Sequence, residues 1–235
     1  MSLHISNYSC DILKDISFTL NSGENIVILG SNGVGKTTLA KVLCGITPSS
    51  SITVDSFNLS KIKGVKRAKL VNYIPPKLSI FDEFITLRDF LELGILSKEL
   101  TIDEVMNMLE ISHLQHKSCH RLSSGESQLL LMASALLHSA NYTIYDEPTA
   151  NLDPQKIQLL FTILKDRSLQ KSKIIISHNL DLAYKLGFNI LFLEDGRVKF
   201  YGKNEDFFQQ TNLNRVYAGS VKNLKDNIVV DLWEK

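Results

Sequence analysis

Neither acid nor base predominates in this chain of 235 residues: 26 lysines and arginines stand against 25 aspartates and glutamates, a formal net charge of +1. A surface that holds nucleic acid by its phosphates needs a clear basic excess, so the balance argues against that partner. Cysteine is scarce and odd in number. Cys10, Cys44 and Cys119 are widely scattered, which argues against a disulfide framework and for reduced thiols in a cytosolic compartment. Long hydrophobic runs are missing too. The longest nearly apolar stretch, Leu129 to Leu137, falls well short of the ~20 residues of a membrane helix and reads as a buried helix instead. The opening MSLHISNYSCDIL has no basic cluster, apolar core and small-residue cleavage site, so no secretory signal is expected. No repeat, low-complexity tract or long linker interrupts the chain. Its composition is that of an ordinary globular protein, 44% hydrophobic and 22% charged, long enough to bury a core without covalent staples. Any service to a membrane is therefore expected to run through partner chains.

Periodicity supplies the architecture. Leu3–Tyr8, the alternating Ile16–Leu20 and the apolar run Asn25–Leu29 read as strands, the last followed by a glycine-rich turn and a helix over Thr38–Cys44 that Gly45 stops. Ser51–Val54 and Leu70–Ile74 read as further strands, the second ended by Pro75-Pro76. From Thr86 to about Ser118 the apolar spacing turns helical. Beyond it lie the strands Tyr142–Tyr145 and Lys173–Ile176, separated by a helix over Pro154–Asp166. Ile190–Leu193 and Val198–Tyr201 are expected to form a hairpin around Asp195-Gly196. Such alternation predicts one α/β domain over residues 1–235, with a mostly parallel sheet, an antiparallel β portion at the N-terminus and a helical lobe inserted at about 86–137. The stretch after Thr211 is too mixed to assign.

Two segments carry chemistry. In GSNGVGKTT, the residues Gly30, Ser31, Asn32, Gly33, Val34, Gly35, Lys36, Thr37 and Thr38 fit a phosphate loop between a buried strand and a helix. Glycines let successive backbone N–H groups turn onto phosphate oxygens, and the helix N-terminus adds its dipole. Lys36 brings a point charge for the β- and γ-phosphates, and the Thr37 hydroxyl is a ligand for Mg²⁺. In NYTIYDEP, an apolar strand ends in two carboxylates. Asp146 is placed to hold the metal through water, and Glu147 to polarise an attacking water as general base.

With those segments in hand, LSSGE at Leu122–Glu126 resembles the signature of ATP-binding cassette proteins, 23 residues before Asp146 when counted from Ser123. EPTANLD at Glu147–Asp153 is similar to the same family's segment from the catalytic glutamate into the dimer-facing loop, where Asp153 sits. His178 matches the switch histidine, and Tyr8, 28 residues before Lys36, falls where the family places an aromatic on adenine. The resemblance implies a P-loop NTPase core that binds ATP and Mg²⁺ and hydrolyses ATP with Glu147 and His178. It also implies a head-to-tail dimer with a second copy, in which Ser123, Ser124, Gly125 and Glu126 reach the ATP held by the other chain. The implied setting is cytoplasmic, on the inner face of the cell membrane, with transmembrane permease subunits and a substrate-binding protein as further partners.

The chain departs from that pattern at Ser124, where glycine is usual, at Leu129, where arginine often stands, and at Pro76, where a glutamine normally follows Tyr-Ile-Pro. RAKLVNYIP (Arg67–Pro75), FLELG (Phe90–Gly94), HNLDLA (His178–Ala183) and NLNRVYAGSVK (Asn212–Lys222) are similar to the importers of iron–siderophore, haem and cobalamin. An exporter ATPase and a soluble cassette ATPase, as in iron–sulfur cluster assembly, stand as alternatives. His113, His116, Cys119 and His120 look like a metal set but match no fixed ligand spacing, and read as a helix end.

Overall fold

The computed structural model of the protein describes residues 1–80, 82–96, 99–150 and 152–231. The chain opens with strands β1 (Ser2–Tyr8), β2 (Ile16–Asn21) and β3 (Ile26–Gly30), then helix α1 (Lys36–Leu43). Short strands β4 (Ile52–Val54) and β5 (Phe57–Asn58) lead to α2 (Gly64–Leu70) and β6 (Val71–Ile74). Helices α3 (Leu87–Leu93), α4 (Ile102–Met108) and α5 (Ser124–His138) precede β7 (Tyr142–Asp146). There follow α6 (Pro154–Lys165), β8 (Ser172–Ile176), α7 (Leu180–Leu186), β9 (Asn189–Glu194) and β10 (Arg197–Gly202). The chain then runs through α8 (Asn204–Phe207), α9 (Gln210–Tyr217) and the pair β11 (Val221–Asn223) and β12 (Ile228–Val230).

The main sheet has the order β10-β9-β3-β8-β7-β6, parallel except for β10, and a separate antiparallel sheet runs β2-β1-β4-β5. This is the expected α/β fold, a mixed sheet beside an N-terminal antiparallel one. Parallel strands are buried on both faces, and β3 shows the consequence: Ile26 and Ile28 enter one core while Val27 and Leu29 enter the other. The first core is closed by α1 and by the inward side chains of β1 and β2, among them Leu3, Ile5, Ile16 and Leu20. The second is closed by α5, α6 and α7. Leu87 and Leu91 of α3 and Val105 and Met106 of α4 join this second core beside α5.

Helix starts are written locally. Thr86 with Asp89, Thr101 with Glu104, and Ser123 with Glu126 each form a reciprocal capping box at the head of α3, α4 and α5, which satisfies two backbone donors that the helix leaves free. The hairpin of β9 and β10 also forms as expected. Asp195 and Gly196 both have positive φ, +51° and +73°, the combination that a two-residue turn of type I′ requires.

Elsewhere the structure corrects the expectation. α2 was not foreseen, and the strand expected from Leu70 begins at Val71. α2 buries none of its side chains fully, so it has no apolar stripe to read. α1 starts at Lys36 rather than Thr38. The unassigned tail holds α9 and the β11–β12 pair, short pieces anchored by single buried residues such as Leu213, Val221 and Ile228.

Candidate phosphate-binding site

Parallel strands deliver their C-terminal ends to one edge of the sheet, and the loops that leave them there meet. Gly30 ends β3, Asp146 ends β7, and Ser177-His178 follows β8. Between β3 and α1 the loop is shaped by close approaches. Gly30 has φ +152°, and a Cβ there would lie 2.6 Å from the Leu193 carbonyl oxygen. Gly35 has φ +106°, and its Cβ would meet the Leu13 side chain at 2.6 Å and that of Ile12 at 3.0 Å. Leu13 is in turn held by the hairpin: Lys14 N–H donates to the Gly196 carbonyl at 2.7 Å. The turn Asp195-Gly196 thus props the 12–14 segment against the phosphate loop. The sequence did not signal this, because the partners are distant in the chain.

A cavity of about 290 Å³ opens on this loop, lined by Ile12, Asn32, Gly33, Gly35, Lys36, Thr37, Thr38, Asp146 and Glu147. Lys36 is 8% exposed, and its Nζ donates to the carbonyls of Gly30 at 2.7 Å and Ser31 at 3.0 Å. Burial lowers its pKa, and the nearby Glu147 and Asp146 pull in the opposite direction. Ser31 and Val34 complete the loop, Ser31 exposed and Val34 packed into the core under α1.

Asp146 is 2% exposed and accepts a hydrogen bond from the Tyr73 hydroxyl, Oη to Oδ2 2.9 Å. Burial, with the Asp146 charge beside it, pushes the Tyr73 hydroxyl well above its ordinary pKa, so this phenol is a protonated donor. Glu147 breaks out of the strand with φ +52°, and its N–H donates to the Ile176 carbonyl at 3.0 Å. That turn sends its carboxylate toward the next loop, where Oε2 lies 2.8 Å from Nδ1 of His178. The donor set around Thr37 and Asp146 is hard oxygen on the wall that also carries Lys36, and it fits Mg²⁺ on a nucleotide phosphate. Sequence reasoning placed Lys36, Thr37, Asp146, Glu147 and His178, and the structure brings them together; it missed Tyr73 and Ile12.

The match to known proteins decides the family. Residues 13–150, more than half of the chain, match the ABC transporter family. The chain is 34% identical over 219 residues to the tungstate uptake system ATP-binding protein TupC of Peptoclostridium acidaminophilum, covering 88% of this chain and all of that protein. It is 29% identical over 212 residues to a putative ABC transporter ATP-binding protein, PH0132, of Pyrococcus horikoshii, covering 84% and 80%. Among solved structures it is similar to cbiO1 of Clostridium perfringens, part of the ABC transporter complex cbiONQ, with a TM-score of 0.74, 25% identity and coverage of 91% and 92%. The chain belongs to the ABC transporter family. It is an ATP-binding subunit, and such subunits hydrolyse ATP.

In this ABC subunit the segment that resembles the signature stands apart from the phosphate cavity. Ser123 caps α5, and Glu126 closes the capping box while pairing with Lys117 Nζ at 2.8 Å. Burial raises the Glu126 pKa, but the bonds from Lys117 and Ser123 outweigh it and hold the carboxyl below its usual range. Gly125 is buried against α6: a Cβ there would sit 3.4 Å from Lys156 Nζ. Asp153 caps α6 and accepts from that same Lys156 Nζ at 2.7 Å. Ser124 instead lines a separate cleft of about 860 Å³ with Pro76, Leu78, His120 and Gln128. Tyr8 is not brought to the cavity either; it packs beside the first core at the end of β1, and Ile12 takes the wall. Asn151, within the segment that resembles the dimer-facing loop, lies outside the described residues. No group of three or more His, Cys, Asp or Glu residues placed to hold a metal ion occurs among the described residues, so His113, His116, Cys119 and His120 are not gathered into one.

Proposed function

We propose that this ABC subunit hydrolyses ATP at the cavity between the phosphate loop and the β7 terminus, and powers import through a separate membrane permease. The observation that carries the catalytic half is the convergence of Lys36, Asp146 and Glu147 on one cavity, with His178 Nδ1 2.8 Å from the Glu147 carboxylate. The backbone N–H groups of Gly33 to Thr38 and Nζ of Lys36 hold the β- and γ-phosphates. Thr37 and Asp146 hold Mg²⁺, which neutralises phosphate charge when bound. Glu147 orients a water in line with the γ-phosphorus and takes its proton; the bond to the β,γ-bridging oxygen breaks, and ADP leaves with phosphate behind it. His178, with Nδ1 on Glu147, holds that carboxylate in place and offers its other nitrogen toward the γ-phosphate side. Tyr8 stacks on the adenine, a role carried by its position 28 residues before Lys36.

The signature-like residues Ser123, Ser124, Gly125 and Glu126 stand outside the cavity of their own chain. This supports a head-to-tail dimer with a second copy, in which they cap the γ-phosphate of the partner and Asp153 lies at the contact. The domain is read as one unit over 1–235, with the lobe of about 86–137 carrying those residues.

Import is supported by the tungstate uptake relative. The short segments shared with iron–siderophore, haem and cobalamin importers favour a metal chelate as cargo, whereas the tungstate relative favours an oxyanion. A substrate-binding protein and a permease complete the assembly, with this subunit on the cytoplasmic face. Co-purification of the chain with its membrane partner, followed by reconstitution in liposomes, separates these readings. ATP-driven accumulation of a ferric siderophore, haem or cobalamin inside right-side-out vesicles supports the chelate. Accumulation of tungstate supports the oxyanion, and ATP-driven efflux of either overturns import.

A further inference from the structure

The parallel register pairs Tyr73 of β6 with Ile144 of β7. Alternate residues of a strand share a face, so Tyr73 stands on the face of Ile144 and Asp146. Two residues of strand advance the chain by ~6.6 Å, and a tyrosine leaning along the strand spans that step. Its hydroxyl therefore arrives at Asp146 Oδ2, 2.9 Å away. This is the carboxylate's one hydrogen bond among the described residues, and it leaves Oδ1 without one on a residue that lines the same cavity as Lys36 and Thr37. The segment beyond Tyr73 is anchored as well. Gln128 of α5, 5% exposed, donates Nε2 to the Pro76 carbonyl at 2.6 Å. Pro75 and Pro76 remove two soft φ angles from the span between.

An aspartate with neither oxygen held turns freely about its terminal torsion, which has broad, nearly two-fold wells. We propose that Tyr73 is a positioning residue for the metal-binding carboxylate: its phenol pins Oδ2 of Asp146, so that Oδ1 would be presented in one orientation to the water shell of a nucleotide-bound Mg²⁺. The inference rests on the assignment of Asp146 to the metal made above. It extends the site to an edge strand whose own sequence, Val-Asn-Tyr-Ile, shows no chemistry.

Tyr73→Phe in the full chain keeps the ring and removes only the hydroxyl. With a non-hydrolysable ATP analogue and Mn²⁺ as the probe, electron paramagnetic resonance titration reads metal affinity directly. The variant is expected to bind Mn²⁺ about tenfold more weakly, the low end for outer-sphere partners of metal ligands. Analogue affinity in EDTA should stay unchanged, and turnover should recover as metal is raised to saturation. Unchanged Mn²⁺ affinity, or a turnover defect that saturating metal leaves in place, overturns the proposal. Asp146→Asn is measured alongside. If it too leaves Mn²⁺ affinity unchanged, the metal assignment itself falls; if it weakens Mn²⁺ while Tyr73→Phe does not, only the role of Tyr73 falls.

Discussion

Lys36 lies in the cavity wall with its ammonium on two carbonyls of its own loop, a placement that a phosphate oxygen can take over. Removing it by Lys36→Ala deletes a charge-assisted contact of ~1.5–3 kcal/mol, so ATP affinity should fall by roughly tenfold to a hundredfold. Titration with a fluorescent nucleotide reads this, and an affinity within about twofold of the parent would count against the loop assignment. Gly35 makes a different prediction. Its φ of +106° and the Leu13 methyl 2.6 Å from any Cβ mean that Gly35→Ala strains the backbone and pushes the 12–14 segment away. The expected cost is at least ~1 kcal/mol of stability, visible as a lower Tm together with lost nucleotide binding. An alanine variant as stable as the parent would show that the contact yields.

At the scale of elements, the departure at Pro76 becomes intelligible. Proline supplies neither an N–H nor a side-chain oxygen, yet its carbonyl is what Gln128 grips. A glutamine at this position keeps that carbonyl, so the path of the loop after β6 is retained. Pro76→Gln is therefore expected to leave Mg²⁺-dependent ATPase activity intact or modestly raised. A tenfold or greater loss with ATP binding unchanged would mean that the ring itself sets the loop's path. The capping boxes offer a control remote from the chemistry. Thr101→Ala removes the cap of α4 and should lower stability by ~1 kcal/mol in urea unfolding while ATP affinity holds. An unchanged midpoint would show that α4 is held by packing alone.

For the whole molecule, the separation of the signature-like segment from the phosphate cavity makes the predicted active unit larger than one chain. Glu147→Gln keeps the shape of the side chain but cannot accept the water's proton. It should bind ATP, turn over far more slowly than the parent, and accumulate as a dimer in light scattering with ATP. Normal hydrolysis by this variant would refute the general-base role. A monomer in excess ATP, both alone and in the permease complex, would refute the dimer.

Much of this protein was legible in order along the chain. The loop Gly30–Thr38, the strand ending at Asp146-Glu147, the capping box at Ser123 and the Asp195-Gly196 turn are local: each depends on neighbours within a few residues, and backbone chemistry alone constrains them. Alternation and helical spacing likewise revealed the buried strands, because burial repeats with the period of the element. The tertiary structure decided what adjacency in sequence cannot encode. Tyr73 meets Asp146 because β6 pairs with β7 in one register. Gly35 meets Leu13, and Gly196 meets the same segment from the other side, because a hairpin far along the chain folds back onto the phosphate loop. α2 escaped notice because it buries no side chain fully: it is tied down by hydrogen bonds such as Arg67 Nη1 to the Gly45 carbonyl, which leave no periodic trace. Local backbone preferences determined the chemistry that each segment carries; the pairing of distant strands determined which of those segments meet.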